Sequence, residues 1–374
     1  MPIILIPLVL IALFFAERYI FNKYWQRGLL AQLSFDKEAV TEGDSACLLE
    51  VITNQNFIPL HILQVNFQTD IGLDFTDTTN VSVTDRVNVI DVFSLRFYER
   101  ITRKLTMNCS KRGYYNVLET SLVASDLFSP DIHYATRKQN TSLYVYPRFI
   151  DDKALDVPYR QLMGEVESKR FLYEDNFTFR GIRDYAPTDV MSSINWKASA
   201  KTGAFKVNLH DYTSSPEITI VLNVDEPGIL FETELLEDCI RLAATLAYKF
   251  IMDKIPVSLI TNGVDKVTGE VISLEAGQSM DHVRNILRAL ARIDLVGKES
   301  SDISGIVSKE LNGSNSSQIS YCFISSSRRD SAVLAAEKLS DKNGTLKWFC
   351  PLTKGMDQRS PLDSRIDFVR IIRE

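Results

Sequence analysis

The spacing of apolar and polar positions changes along the chain. Between about Leu33 and Pro147, short runs such as Ala46 to Ile52 have apolar residues at every second position, and Asn, Asp, Gly and Pro separate these runs. A period of two places alternate side chains on opposite faces of a strand. The pattern predicts an antiparallel β-sandwich over residues 31–150.

After Ser215 the pattern becomes one of apolar runs alternating with segments of helical spacing. Glu217 to Leu222 and Ile319 to Ile324 are apolar runs, and residues 235–251 repeat apolar positions three and four apart. Such alternation predicts an α/β domain over residues 216–374, with a mainly parallel sheet covered by helices. Residues 151–215 are polar and are expected to form a connector on the surface.

The amino terminus is apolar from Met1 to Ala16 apart from its prolines. About 20 apolar residues can span a bilayer. Since the segment has neither a positively charged start nor a small-residue cleavage site, residues 1–30 are predicted to be an uncleaved single-pass anchor in contact with membrane lipid. Arg18, Lys23 and Arg27 follow the apolar run, and the positive-inside rule then places the remaining chain in the cytoplasm. The alternative is a helix that lies on the membrane surface or is buried in protein.

Composition limits the function further. The chain has 374 residues, of which 45% are hydrophobic and 24% charged, so it is globular and long enough for two or three domains. Its net charge of -6 argues against a nucleic-acid binder, because binding to phosphates requires a basic face. Five scattered cysteines without a CxxC pair are typical of free thiols in a reducing compartment.

One segment, Phe179 to Asp211, combines charge, a turn and a tryptophan between the two patterned regions. Its order and spacing resemble the signature of the domain of unknown function 58 family. The matching residues are Arg183, Tyr185, Asp189, Ile194, Trp196, Ala200 and Lys201. Two interpretations remain open: Trp196 is a core aromatic and Arg183 with Asp189 clamps a linker, or these residues face a partner.

The resemblance implies a fold and a partner. The family joins a sandwich-like amino-terminal portion to a von Willebrand factor A-like half. The expected fold class is therefore an α/β von Willebrand factor A-like, Rossmann-like carboxy-terminal domain, an all-β sandwich and an amino-terminal transmembrane helix. Family members are typically encoded beside a MoxR-type AAA+ ATPase and often a transglutaminase-like membrane protein. The expected function is a membrane-anchored, non-enzymatic interaction module that is an adaptor or anchor for that ATPase.

The resemblance also raises the question of a metal ion. Von Willebrand factor A-like domains with a Mg²⁺ site carry Asp-x-Ser-x-Ser after their first strand, whereas this chain places Asn223, Asp225 and Pro227 there. The site is therefore broken and no cofactor is expected, although Asp225 and Glu226 could still hold a cation instead of forming a solvated acidic turn. The Ser325 to Asp330 loop is a candidate for anion binding or, alternatively, a serine cap of the helix that follows.

Two other functions remain as alternatives. A hydrolase or transferase would use Asp189 and Asp225, with His210 as a further acid/base group, and a metal. An extracellular adhesion or envelope-assembly factor would require the opposite topology. No phosphate-binding loop, nucleophile elbow or zinc-protease motif occurs in the sequence, and the leading prediction is that the protein is not an enzyme.

Overall fold

The chain folds into two compact units, Met1–Arg148 and Phe149–Glu374. A computed structural model describes residues 2–125, 131–151, 155–172, 174–187, 189–212, 217–225, 233–295, 301–313, 319–341, 346–353 and 366–373.

The first unit is a two-sheet β-sandwich preceded by one helix. Its elements are α1 (Pro2–Tyr24), β1 (Leu29–Phe35), β2 (Ala39–Thr41), β3 (Ser45–Asn54), β4 (Leu60–Thr69), β5 (Leu73–Phe75), β6 (Val81–Val83), β7 (Val87–Leu95), β8 (Arg100–Cys109), β9 (Gly113–Ser125) and β10 (Ile132–Tyr146). One sheet has the order β1-β3-β8-β5 and the other β2-β10-β9-β4-β7-β6. Burial alternates along β3 and β7 with the period of two that the sequence shows.

Two polar residues interrupt the apolar interior of the sandwich. On β3, Glu50 lies between the inward-facing Leu48 and Ile52, which belong to two different hydrophobic clusters. On β7, Asp91 likewise lies between the inward-facing Val89 and Phe93, which belong to the same two clusters. Both carboxyl side chains are fully buried. A polar layer thus separates two apolar compartments, and Arg103 Nη1 donates a hydrogen bond of 2.8 Å to Asp91 Oδ1 from β8.

The predicted membrane anchor in residues 1–30 is wrong, and with it the predicted location in the cell membrane. In the part of the chain that the structure describes, no helix is both long enough and apolar enough to cross a bilayer. The end of α1 packs on the sandwich instead, where Phe21 and Trp25 are each only 3% exposed within one of its core clusters. Arg18 Nη2 also lies 2.5 Å from Asp131 Oδ2, beyond β9.

The second unit contains a seven-stranded sheet and a two-stranded ribbon, in which β11 pairs with β12. Its α-helices are between 7 and 20 residues long. Its elements are α2 (Asp156–Leu172), β11 (Glu174–Asp184), α3 (Trp196–Thr202), β12 (Lys206–Tyr212), β13 (Glu217–Leu222), α4 (Thr233–Met252), β14 (Val257–Asp265), β15 (Val271–Gly277), α5 (Met280–Arg292), β16 (Ile293–Asp294), α6 (Ile303–Gly313), β17 (Ile319–Ile324), α7 (Asp330–Asp341), β18 (Leu346–Thr353) and β19 (Asp367–Arg373). The sheet has the order β15-β14-β13-β17-β18-β19, with β16 paired to β14.

The predicted fold class, with its von Willebrand factor A-like domain over residues 216–374, is also wrong. Strands hold 45% of the described residues and helices 31%, so the protein is mostly β. The large sheet is mixed, because β15 and β16 both run antiparallel to β14. Alternating strand and helix patterns occur in many α/β arrangements, and the pattern alone therefore did not identify a family.

Residues 151–215 were expected to form a surface connector. The first part of this segment forms the helix α2, which is packed against the rest of the second unit. Leu162 and Val166 of α2 are almost completely buried. Lys347 of β18 is 1% exposed, and its ammonium lies 2.7 Å from Asp367 Oδ2 and 3.3 Å from Gln161 Oε1 of α2. Since a buried ammonium is costly unless it is paired, these contacts tie α2 to the edge of the sheet.

Candidate functional site

The signature segment forms an antiparallel ribbon with a short helix inserted between its strands. β11 pairs with β12, and Ile194 makes an isolated bridge to Val207. Ile194 is 6% exposed and Val207 3%, so this bridge forms the small apolar core of the segment. Between the bridge and β12 the chain forms α3.

Polar contacts close the turn that precedes α3. Arg183 donates hydrogen bonds of 2.6 and 2.5 Å from its two terminal nitrogens to the two carboxylate oxygens of Asp189. The backbone N–H of Ala186 also donates to Asp189, at 2.8 Å. These hydrogen bonds, with Arg183 the largest cause, hold the pKa of the Asp189 carboxyl below its ordinary value. Asp189 is thus an ionised acceptor that shapes the turn.

The two ends of α3 are also fixed locally. At its start, the side chain of Asn195 accepts a hydrogen bond of 2.9 Å from the backbone N–H of Ala198, which is the usual role of an N-cap residue. At its end, Gly203 has φ of 70°, a left-handed conformation that favours glycine. Ser199 Oγ accepts a hydrogen bond of 2.9 Å from the backbone N–H of Lys206, which joins the helix to β12.

This rigid frame leaves large apolar side chains exposed. We call the set Tyr185, Val190, Met191, Trp196 and Phe205 the signature surface, in which Tyr185 is half-buried and the other four side chains are exposed. Trp196 is 62% exposed, and Val190 and Met191 are exposed by 72% and 68%. The Phe205 ring packs edge-on against both Trp196 and Tyr185, with centroid distances of 6.2 and 6.0 Å. The three aromatic rings therefore form a continuous row, in which Trp196 and Phe205 remain exposed to solvent.

Basic side chains border the signature surface. Lys197 and Lys201 lie four residues apart on α3 and are both exposed. Residues four apart lie on the same side of a helix, so the two ammonium groups share one side of α3, and Lys197 directly follows Trp196 in the sequence. The surface therefore combines exposed aromatic rings with local positive charge, although the whole chain has a net charge of -6.

The structure agrees with one half of the first interpretation, because Arg183 with Asp189 closes the turn, and disagrees with the other half, the placement of Trp196. Ile194 is buried, whereas Trp196, Ala200 and Lys201 are exposed, so Trp196 is not a core aromatic. Sequence reasoning missed Val190, Met191 and Phe205; the signal for Phe205 was an apolar residue directly after the turn at Gly203 and Ala204. His210 belongs to β12, but its side chain is not among the parts of the chain that the structure describes.

A second polar cluster lies at the carboxyl edge of the large sheet, where Asn223 and Ser325 follow β13 and β17 and Asn262 belongs to β14. All three side chains are fully buried. Asn223 Nδ2 donates to Ser325 Oγ at 3.0 Å, and Asn262 Nδ2 donates to Asn223 Oδ1 at 2.9 Å and to Asp225 Oδ1 at 2.7 Å. Of the two weak metal candidates, Asp225 is therefore part of this network, and Glu226 lies outside the described residues.

The network does not fit a Mg²⁺ ion as it stands. Mg²⁺ requires oxygen ligands around an open position, but the oxygens of Asn223 and Asp225 converge on an amide nitrogen. Within the described parts of the chain, no group of three or more His, Cys, Asp or Glu residues is arranged to hold a metal ion. In the Ser325 to Asp330 loop, Ser325 Oγ is engaged by Asn223 and donates to the carbonyl of Ser327 at 2.9 Å.

Comparisons with known proteins identify no family. No family model and no curated protein matches the chain. Among solved structures, the seventh ScaB type I cohesin from Pseudobacteroides cellulosolvens has a TM-score of 0.21 at 10% identity, over 33% of this chain and 96% of that one. A non-cellulosomal cohesin from Archaeoglobus fulgidus gives 0.20 at 9% identity, over 31% and 90% of the two chains.

A third similar structure is the CARDB domain of a Pyrococcus furiosus protein in complex with di-metal ions, with a TM-score of 0.19 at 9% identity, over 31% of this chain and 94% of that one. The cohesin and CARDB neighbours are β-sandwiches. TM-scores this far below 0.5 support no inference about function.

Proposed function

We propose that this protein is a non-enzymatic interaction module that binds a protein partner through the signature surface. The observation that carries the proposal is the exposure of Trp196 and Phe205 on a locally fixed ribbon. Exposed aromatic side chains on a rigid support are typical of binding surfaces, because they bury a large area at a small cost in side-chain entropy.

The charge around the surface indicates the chemistry of the partner. Lys197 and Lys201 are exposed on α3, the helix that begins at Trp196, so a complementary segment presents apolar side chains next to carboxylates. The family resemblance supplies a candidate partner, a MoxR-type AAA+ ATPase for which the protein acts as an adaptor. A transglutaminase-like membrane protein is the second partner that the resemblance implies.

The proposal is tested by titrating the purified full-length protein with a purified MoxR-type AAA+ ATPase from the same organism. We expect Trp196→Ala and Phe205→Ala each to weaken binding by at least tenfold, because interface aromatics of this type contribute about 2 kcal/mol or more. The matched control is Tyr134→Ala, which removes an aromatic ring that is 71% exposed in the first unit. The control variant is expected to bind as the wild type does.

A salt series separates the apolar and charged contributions. Binding is expected to weaken as ionic strength rises, and Lys197→Gln with Lys201→Gln is expected to remove most of this dependence. Equal affinities for the wild type, Trp196→Ala and Phe205→Ala, or no binding to the ATPase, would count against the proposal.

No observation on the described residues favours the hydrolase or transferase alternative. Both carboxylate oxygens of Asp189 accept hydrogen bonds from Arg183, and Asp225 accepts one from Asn262. Each carboxylate therefore has a structural role within a different network.

A further inference from the structure

The side chain of Asn262 is the centre of the polar cluster at the carboxyl edge of the sheet. It is fully buried. Its amide nitrogen lies 2.9 Å from Asn223 Oδ1, 2.7 Å from Asp225 Oδ1 and 3.2 Å from the carbonyl oxygen of Ser301. Oxygens from two separate chain segments, the end of β13 and the segment before α6, thus converge on one nitrogen of β14.

The orientation of this amide is fixed by a neighbour that can only donate. The backbone N–H of Val224 donates a hydrogen bond of 2.8 Å to Asn262 Oδ1. Since a backbone N–H cannot accept, the oxygen of Asn262 must face Val224 and the nitrogen must face the three oxygens.

A second chain of hydrogen bonds fixes the orientation of Asn223. Ser325 Oγ donates its single hydrogen to the carbonyl of Ser327 at 2.9 Å, so it must accept from Asn223 Nδ2 at 3.0 Å. The oxygen of Asn223 is then turned toward Asn262, where it also accepts from the backbone N–H of Asp225 at 3.1 Å. Each assigned donor therefore faces an acceptor, and the two hydrogens of Asn262 Nδ2 are shared among three oxygens.

We infer that the amide nitrogen of Asn262 occupies the place of a divalent cation and holds this edge of the sheet without one. A carboxylate, an amide oxygen and a backbone carbonyl are the oxygen types that bind Mg²⁺ and Ca²⁺ in proteins. Here the same three types are satisfied by a neutral donor that is part of the chain. The edge of the second unit is consequently held together permanently, whatever the concentration of cations around it.

This inference makes a specific prediction for Asn262→Asp. One carboxylate oxygen of the variant can still accept from Val224, but the other meets the oxygens of Asn223, Asp225 and Ser301, and two adjacent carboxylates repel each other unless a cation or a proton lies between them. The substitution is thus expected to convert a cation-independent edge into a cation-dependent one.

The experiment measures thermal unfolding and calorimetric titration of chelator-treated full-length protein with MgCl₂ and with CaCl₂. The wild type is expected to show no saturable binding of one Mg²⁺ or Ca²⁺ per chain and no change in melting temperature when either cation is added. Asn262→Asp is expected to melt at a lower temperature in chelator and to recover with one bound cation. Asn262→Ala loses the donor without adding a ligand, and Asn116→Asp adds the same charge at a half-buried strand position of the first unit; neither is expected to recover with cations.

Two results would overturn the inference. One is saturable binding of one Mg²⁺ or Ca²⁺ by the wild type that is lost in Asn262→Ala. The other is an Asn262→Asp variant whose stability or folding yield is the same in chelator and in excess cation.

Discussion

At the scale of single residues, the buried carboxyl pair of the sandwich determines how stability depends on pH. Burial, followed by the hydrogen bond and charge of Asp91, raises the pKa of Glu50 to about 9 from its ordinary 4.5. Glu50 is therefore protonated in the folded protein at neutral pH and can donate to Asp91, whose other oxygen accepts from Arg103. A neutral acid next to an ionised one avoids two buried negative charges.

Glu50→Gln is predicted to stabilise the protein and to flatten its pH profile. Above about pH 4.5 the unfolded chain loses the Glu50 proton while the folded protein keeps it, so the free energy of unfolding falls by up to about 1.4 kcal/mol per pH unit until about pH 9. The amide of the variant donates to Asp91 without taking up a proton. Urea unfolding from pH 5 to 9 measures the slope, with Glu119→Gln on the exposed face of β9 as the control. An unchanged slope in Glu50→Gln would contradict the assignment.

At the scale of elements, two tryptophans distinguish packing from recognition. Trp25, at the end of α1, is 3% exposed, whereas Trp196, at the start of α3, is 62% exposed. Trp25→Ala is predicted to cost about 3 to 5 kcal/mol of stability, because it opens a cavity in the sandwich core. Trp196→Ala is predicted to cost less than about 1 kcal/mol. Urea unfolding followed by circular dichroism measures both, and equal losses would show that Trp196 is structural.

The cap of α3 can be tested independently of binding. Asn195→Ala removes the acceptor for the N–H of Ala198 and is predicted to cost about 1 kcal/mol. Faster amide hydrogen exchange is expected in α3 and in the paired end of β12, and unchanged exchange in the sandwich. Protection in α3 equal to that of the wild type would show that the cap does not stabilise this helix.

The same elements show what the sequence could predict. A period of two is a property of each strand, so the burial of β3 and β7 follows from their own residues. The packing of α1 does not follow from its own residues, because an apolar run has the same composition whether it contacts lipid or protein. The contacts of Trp25 include residues far away in the chain, such as His133. The exposure of Trp196 likewise depends on the ribbon that supports it, and an aromatic residue alone more often indicates a core position.

At the scale of the whole molecule, the chain consists of a sandwich unit and a unit with a mixed sheet, and each unit has its own buried polar network. The weak metal candidates Asp225 and Glu226 were derived from a motif, whereas Asn262 was not singled out, because its role depends on hydrogen bonds between β13, β14 and the segment before α6. The signature surface combines exposed apolar side chains with hydrogen bonds that fix the turn and α3, and the proposed function depends on it.

The most direct test of this function is site-specific photocrosslinking to the MoxR-type ATPase. A benzophenone amino acid replaces Trp196 in one full-length variant and Tyr134 in another, and each is irradiated with the purified ATPase at low and at high salt. The proposed function predicts a crosslink from position 196 that decreases at high salt, and none from position 134. Crosslinks of equal yield from both positions, or a crosslink from position 134 alone, would contradict it.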